Sequence, residues 1–94
     1  MKQEFDHFLI RANEILWDLK RLNHNYDSFT IESFFGSKLG PLLYSSLGLR
    51  TVRDLVNMDA LTLGIGIFES DFSEMDRKEF LGSFEALYEF FESY

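Results

Sequence analysis

The chain has 94 residues and a net charge of −7; 46% of the residues are hydrophobic and 17% aromatic. This length and composition suit one folded domain over residues 1–94, not a disordered segment. The absence of cysteine excludes disulfides and thiolate metal sites and favours a cytoplasmic location, and no apolar run is long enough to make a membrane a partner.

Residues 2–23 have the spacing of a long amphipathic helix. Apolar residues recur on one face: Phe5, Phe8, Leu9, Ala12, Ile15, Leu16, Leu19 and Leu22. Ile10 and Trp17 are seven residues apart and lie together on the opposite side. This second apolar side predicts either a helix that packs on two sides or an exposed contact patch, since Trp is enriched at binding hot spots. A homodimer through the patch is a further hypothesis.

Residues 29–63 are expected to form short helices between two long ones. Their expected ends are Gly36 and Gly48, and their expected starts are Pro41 as a first helical residue and Thr51 and Asp59 as N-caps. Asp54 is placed to complete a capping box with Thr51. The segment at 64–68 and the polar joint after it are expected to separate these helices from the last one.

The last long helix is predicted over residues 73–93. Ser73 is a favourable N-cap, and Asp76 is placed as the reciprocal partner of a capping box. Its apolar stripe is aromatic and comprises Phe80, Phe84, Leu87 and Phe91, widened by Leu81 and Tyr88. The sequence therefore predicts an all-α fold: a compact bundle of five to six helices, with long N-terminal and C-terminal helices and short helices between them.

Charge is concentrated near the C-terminus. Residues 69–94 carry eight acidic and two basic residues, a net charge of −6. Such a face favours a basic protein partner and disfavours the phosphate backbone of nucleic acids, although acidic residues on a helix also serve solubility. The predicted partner-binding residues here are Glu85, Tyr88, Glu89, Glu92 and Tyr94, beside the first patch of Ile10 and Trp17.

No residue pattern predicts catalysis, a cofactor site or a metal site. The two histidines, His7 and His24, have no nearby serine and acid in the arrangement of a catalytic triad. The segment 71–82 resembles a calcium loop, but Met75, Asp76 and Gly82 stand where an oxygen ligand, a glycine and a bidentate glutamate are needed. We therefore expect a protein that is not an enzyme.

Gly64-Ile65-Gly66 allows two interpretations. A short turn of this kind between helices is typical of a helix-hairpin-helix module that binds nucleic acid through backbone N–H groups. Here Glu69 and Asp71 follow in place of the usual cations. The favoured interpretation is that the glycines let one helix approach another closely, so we expect no nucleic-acid partner.

Residues 47–87 resemble the sterile alpha motif (SAM) domain. The segments that carry the resemblance are LGLRTVRDLVNMDALTLGI and DRKEFLGSFEAL. The matching residues are Asp54, Leu55, Met58, Leu61, Leu63, Gly64 and Ile65, followed by Arg77, Lys78, Phe80, Leu81 and Leu87. The resemblance implies a five-helix bundle that binds other proteins, often by self-association. It would place Asp54, Asp59, Glu69 and Asp71 near one binding surface and Arg77 and Lys78 near the other.

Two main functions remain open at this point, and a helix-hairpin-helix-type nucleic-acid-binding module is a less favoured third. The first is a non-enzymatic protein–protein interaction module with an acidic, aromatic surface on its C-terminal helix. The alternative is a small acidic inhibitor, such as an immunity protein against a basic nuclease toxin or a phage-encoded inhibitor that mimics nucleic acid. Size, charge and the lack of catalytic groups suit both.

Overall fold

The computed structural model describes residues 2–94, and these residues form five α-helices and no β-strand. The helices are α1 (Lys2–Leu22), α2 (Ile31–Leu47), α3 (Val52–Val56), α4 (Ala60–Phe68) and α5 (Glu74–Ser93). A 3₁₀ turn, Tyr26–Ser28, connects α1 to α2. The predicted all-α fold is confirmed. None of the helices in residues 2–94 has the length and apolarity needed to span a membrane.

Side-chain caps begin four of the helices, and three of these caps are at the residues that the sequence predicts. The Thr51 hydroxyl accepts the Asp54 N–H, and the Asp54 carboxylate accepts the Thr51 N–H, which completes a capping box on α3. Ser73 and Asp76 form the same box on α5. Asp59 accepts the Thr62 N–H at 2.7 Å on α4. These contacts satisfy N–H groups that have no partner inside their helix.

The two glycines predicted to end helices play different parts in α2. Gly48 has a left-handed conformation (φ 71°) and ends the helix. Gly36 (φ 89°, ψ 172°) is not helical and divides α2 at a kink into two helical segments, so the first short segment ends there as predicted. The helix resumes before Pro41, so the expectation that Pro41 is a first helical residue is wrong. Both glycines have a φ that side chains with a Cβ rarely adopt.

α4 is longer than the sequence predicts, because it continues past residue 63 to Phe68. Leu63 and Ile67, four residues apart, are both fully buried, and this is a spacing at which a helix brings two side chains to the same face. Residues 64–66 therefore lie inside a helix, and no hairpin turn forms there. The burial of these side chains outweighs the cost of two glycines in a helix interior.

The core lies among α1, α2, α4 and α5, each of which packs against at least two of the others. The predicted stripe of α5 is fully buried: Phe80, Phe84, Leu87 and Phe91. The connection after α1 is anchored by Tyr26, which is fully buried and donates its hydroxyl hydrogen to the Leu19 carbonyl at 2.6 Å. Rings that meet edge to face, as Tyr26 and Phe91 do at 4.9 Å, add to the energy of burial.

Candidate functional site

The five predicted partner-binding residues near the C-terminus, four on α5 and Tyr94 directly after it, divide into two groups. Glu85 and Tyr88 are half-buried and face α1, whereas Glu89, Glu92 and Tyr94 are exposed. The division does not follow from helical spacing alone, because Glu85 and Glu92 are seven residues apart and lie on nearly the same side of the helix.

Glu85 and Tyr88 bond to α1. The Arg11 guanidinium donates two hydrogen bonds to the Glu85 carboxylate, at 2.5 and 2.6 Å, and holds the pKa of that carboxyl below its usual value. The Tyr88 hydroxyl lies 3.1 Å from the carboxylates of both Asp18 and Glu92, and these acids, Asp18 foremost, raise the pKa of Tyr88 to about 12. Both residues therefore hold α5 against α1.

An aromatic stack, defined as Phe90 and Tyr94, is exposed at the end of α5. The two rings lie 5.3 Å apart at 29°, and the side chains are 40% and 72% exposed. Phe34 contacts Phe90 at 5.4 Å, and Phe29 contacts it at 5.9 Å, so the stack rests on a fixed aromatic base. The stack is thus presented to solvent on a packed support.

Phe90 is a site residue that the sequence reasoning missed. It lies off the stripe of α5, directly before the buried Phe91. The signal was present in the pair of adjacent phenylalanines, because neighbours on a helix point 100° apart and only one of them can face the centre of the core.

Two carboxylates accompany the stack, and we name the group of Glu89, Phe90, Glu92 and Tyr94 the C-terminal surface. Within residues 2–94, neither Glu89 nor Glu92 forms an ion pair with a basic side chain. The last turn of α5 also contains no basic residue. The C-terminal surface therefore combines uncompensated negative charge with exposed aromatic rings.

The patch predicted on α1 is a separate surface. Ile10 and Trp17 are 64% and 67% exposed. The residues that follow them, Arg11 and Asp18, make the contacts to α5, so the patch is turned away from that helix. Of the two interpretations of this apolar side, the exposed patch is what the structure displays.

A cavity of about 600 Å³ lies between the N-terminal parts of α1 and α5. Its lining includes Phe8, Phe68 and Leu81 with Glu4, His7, Arg77 and Lys78. Arg77 donates to the Glu4 carboxylate at 2.9 and 3.1 Å and lies 4.8 Å over the Phe68 ring. Since this guanidinium already has a carboxylate partner, it is not set to bind a ligand anion. Across residues 2–94, no three His, Asp or Glu side chains are grouped to hold a metal ion.

Comparison of the chain with protein-family models, curated proteins and solved structures yields no match. The resemblance of residues 47–87 to the SAM domain stays a prediction. Function must be argued from the two surfaces themselves.

Proposed function

We propose that this chain is a non-enzymatic protein–protein interaction module whose C-terminal surface binds a basic segment of a partner protein. The observation that supports the proposal is the exposed stack of Phe90 and Tyr94 beside Glu89 and Glu92. An arginine guanidinium stacks on aromatic faces and donates paired hydrogen bonds to carboxylates, so it matches both components at once. Rings anchored on a packed base contribute affinity, while the acids accelerate encounter and select basic partners.

The arrangement of acids on α5 has a cost within the monomer. Glu85, Glu89 and Glu92 follow one another at spacings of four and three residues, and Arg11 neutralises only the first. Like charges at these spacings destabilise a helix by about 0.2–0.5 kcal/mol a pair. A basic partner bound at Glu89 and Glu92 would remove this repulsion, which makes them better suited to recognition than to holding the fold together.

The test is a titration of the isotope-labelled chain with a short arginine-rich peptide, followed by NMR. A lysine-rich peptide and an acidic peptide of the same length serve as comparisons. We expect the arginine-rich peptide to shift the resonances of Phe90 and Tyr94 most, the lysine-rich peptide to bind more weakly and the acidic peptide not to bind. If neither basic peptide perturbs these residues, the proposal is wrong.

Charge reversal separates a defined surface from general attraction to an acidic protein. We expect Glu89→Lys combined with Glu92→Lys to weaken binding of the arginine-rich peptide by about tenfold or more, without loss of folded stability, because the repulsion between residues 85 and 89 becomes an attraction and basic side chains are favourable in the last turn of a helix. The matched control is Glu69→Lys with Glu79→Lys, which changes the net charge equally at exposed residues outside the C-terminal surface. An equal loss in the control would contradict a specific site.

A further inference from the structure

Half of the large apolar side chains exposed in residues 2–94 lie on α1 and α4. They are Ile10, Trp17, Leu61 and Ile65, the last two 54% and 41% exposed. We name these four residues the seam patch, because they flank the line of contact between α1 and α4.

The two helices run antiparallel along this line. Near one end, the Lys20 ammonium donates to the Met58 carbonyl at 3.2 Å. Further along, Leu9 packs onto Gly64 so closely that a Cβ there would lie 2.9 Å from the Leu9 Cδ2. Residue numbers therefore fall on α1 as they rise on α4, which defines the antiparallel direction.

Helix geometry places the seam patch on one side of the contact. Leu9 and Gly64 face each other across the contact, and Ile10 and Ile65 come directly after them. One residue further along a helix means a rotation of 100°, and in an antiparallel pair this rotation turns both side chains outward to the same side. Phe8 and Leu63, one position before those inward-facing residues, are buried in the core on the opposite side. Trp17 lies seven residues after Ile10, and Leu61 lies four residues before Ile65, so each is on the same side of its helix as its neighbour in the patch. The four side chains therefore share one solvent-facing surface.

The exposed side of α1 has a palindromic pattern. This side also includes Gln3 and His7, and six of its exposed residues form the pattern: Asp6, Ile10, Asn13, Glu14, Trp17 and Arg21, at successive spacings of four, three, one, three and four residues. Read in either direction the spacing is the same, whereas the charge changes from acidic at the N-terminal end to basic at the C-terminal end. A twofold axis through the middle would therefore bring unlike groups together.

An antiparallel pair of α1 helices from two copies satisfies every position of this pattern. Ile10 of one copy faces Trp17 of the other, and Asp6 faces Arg21. The two central polar residues also face each other, so that an amide can donate to a carboxylate. A parallel pair would instead place Asp6 against Asp6 and Arg21 against Arg21 of the other copy, so that like charges would meet. The isologous arrangement, in which contacts occur twice, is the common one for dimers.

We propose that the seam patch is the interface of a homodimer, with a second copy of this chain as its occupant and Asp6–Arg21 pairs at the two ends. Arg21 also lies 2.9 Å from Asp18 on its own helix. Exposed ion pairs of this kind are weak, so Arg21 can also bind the Asp6 carboxylate of the second copy. The proposal does not depend on the C-terminal surface, which lies elsewhere on the molecule.

The first test measures the mass of the full chain by sedimentation equilibrium over a range of concentrations, with fluorescence in parallel. We expect a monomer–dimer equilibrium in which the emission of the chain's only tryptophan, Trp17, shifts to the blue as the dimer forms. Trp17→Ala should raise the dissociation constant by at least about tenfold, as at a hot spot. A chain that stays monomeric, or a dimer unaffected by Trp17→Ala, overturns the proposal.

Charge swaps test the twofold geometry. Asp6→Arg alone and Arg21→Asp alone each create two like-charge contacts, so both should weaken the dimer. The double variant restores two attractive contacts and should regain it, and an equimolar mixture of the two single variants should form a heterodimer by native mass spectrometry. All these positions are exposed, and circular dichroism checks that each variant is folded.

The charge swaps can also contradict the proposal, if their effects on the dimer simply add. If the double variant is as weak as the sum of the single ones, or the mixture gives no heterodimer, then Asp6 and Arg21 do not face each other. A monomeric chain that still binds the arginine-rich peptide would refute the dimer and leave the proposed function intact. A dimer that binds no basic peptide would refute the proposed function and leave the dimer intact.

Discussion

At the scale of single residues, the close approach at Gly66 gives a matched pair of substitutions. A Cβ on Gly66 would contact the Leu47 Cδ2 and lie 2.7 Å from its Cγ, whereas a Cβ on Gly82 would meet no atom within 4 Å. We expect Gly66→Ala to lower the free energy of unfolding by about 1–3 kcal/mol through overpacking. Gly82→Ala should raise it by about 0.5–1 kcal/mol, since alanine is the better helix former. Urea unfolding measures both.

The opposite signs are the decisive feature, because both glycines lie inside helices. Were Gly66→Ala also stabilising, Leu47 would be free to move aside, and close approach would not explain the glycine. The sequence offered this interpretation of residues 64–66 beside a hairpin turn. It favoured close approach but could not identify the contacting side chains, since they are distant in sequence.

The same limit explains what was and was not foreseen about the candidate site. The exposure of Trp17, Glu89 and Tyr94 is consistent with helical spacing alone. The engagement of Glu85 was not predictable, because its partner Arg11 is 74 residues away in the chain. Spacing gives the direction in which a side chain points on its own helix, but not which helix packs there.

At the scale of helices, two ion pairs fasten α5 to α1. Hydrogen bonds from Arg77 to Glu4 and from Arg11 to Glu85 lower the pKa values of both carboxyls below their ordinary 4.5. A carboxyl with a lowered pKa in the folded state contributes its full stability above the pKa of the unfolded chain and loses it as pH falls through the folded pKa. We therefore expect the free energy of unfolding to decline as pH falls below 4.5.

Glutamine substitutions measure this contribution. Glu4→Gln with Glu85→Gln should lower stability at neutral pH, by up to about 1 kcal/mol per pair, and make the acid decline shallower. Some decline should remain, since the pKa values of Asp54 and Asp76 are also lowered by their capping contacts and, for Asp76, foremost by Lys38. Glu89→Gln is the control. An unchanged pH profile in the double variant would show that the two pairs add nothing.

Helix boundaries show which elements a sequence can define. The starts of α3, α4 and α5 were predicted correctly because each depends on a cap within four residues of chain. The end of α4 was not, since continuation to Phe68 depends on the burial of Leu63 and Ile67 against other helices. Local hydrogen bonds are encoded locally, whereas helix length here is determined by packing.

At the scale of the whole molecule, the two proposed interactions respond differently to salt. The C-terminal surface would attract a basic peptide by charge, and that attraction is screened as salt rises. The seam patch is mainly apolar, and the two copies that meet there each carry a net charge of −7, so salt screens a repulsion between them. Salt should therefore weaken the peptide complex but not the dimer.

Titrations in low salt and at about 1 M, where the screening length is about 3 Å, give the comparison. We expect the dissociation constant of the arginine-rich peptide to rise steeply, while that of the dimer stays level or falls. Trp17→Ala should change only the dimer, and Glu89→Lys with Glu92→Lys only the peptide binding. A dimer that weakens with salt as steeply as the peptide complex would be held by charge and not by the seam patch, because apolar burial does not weaken in this way.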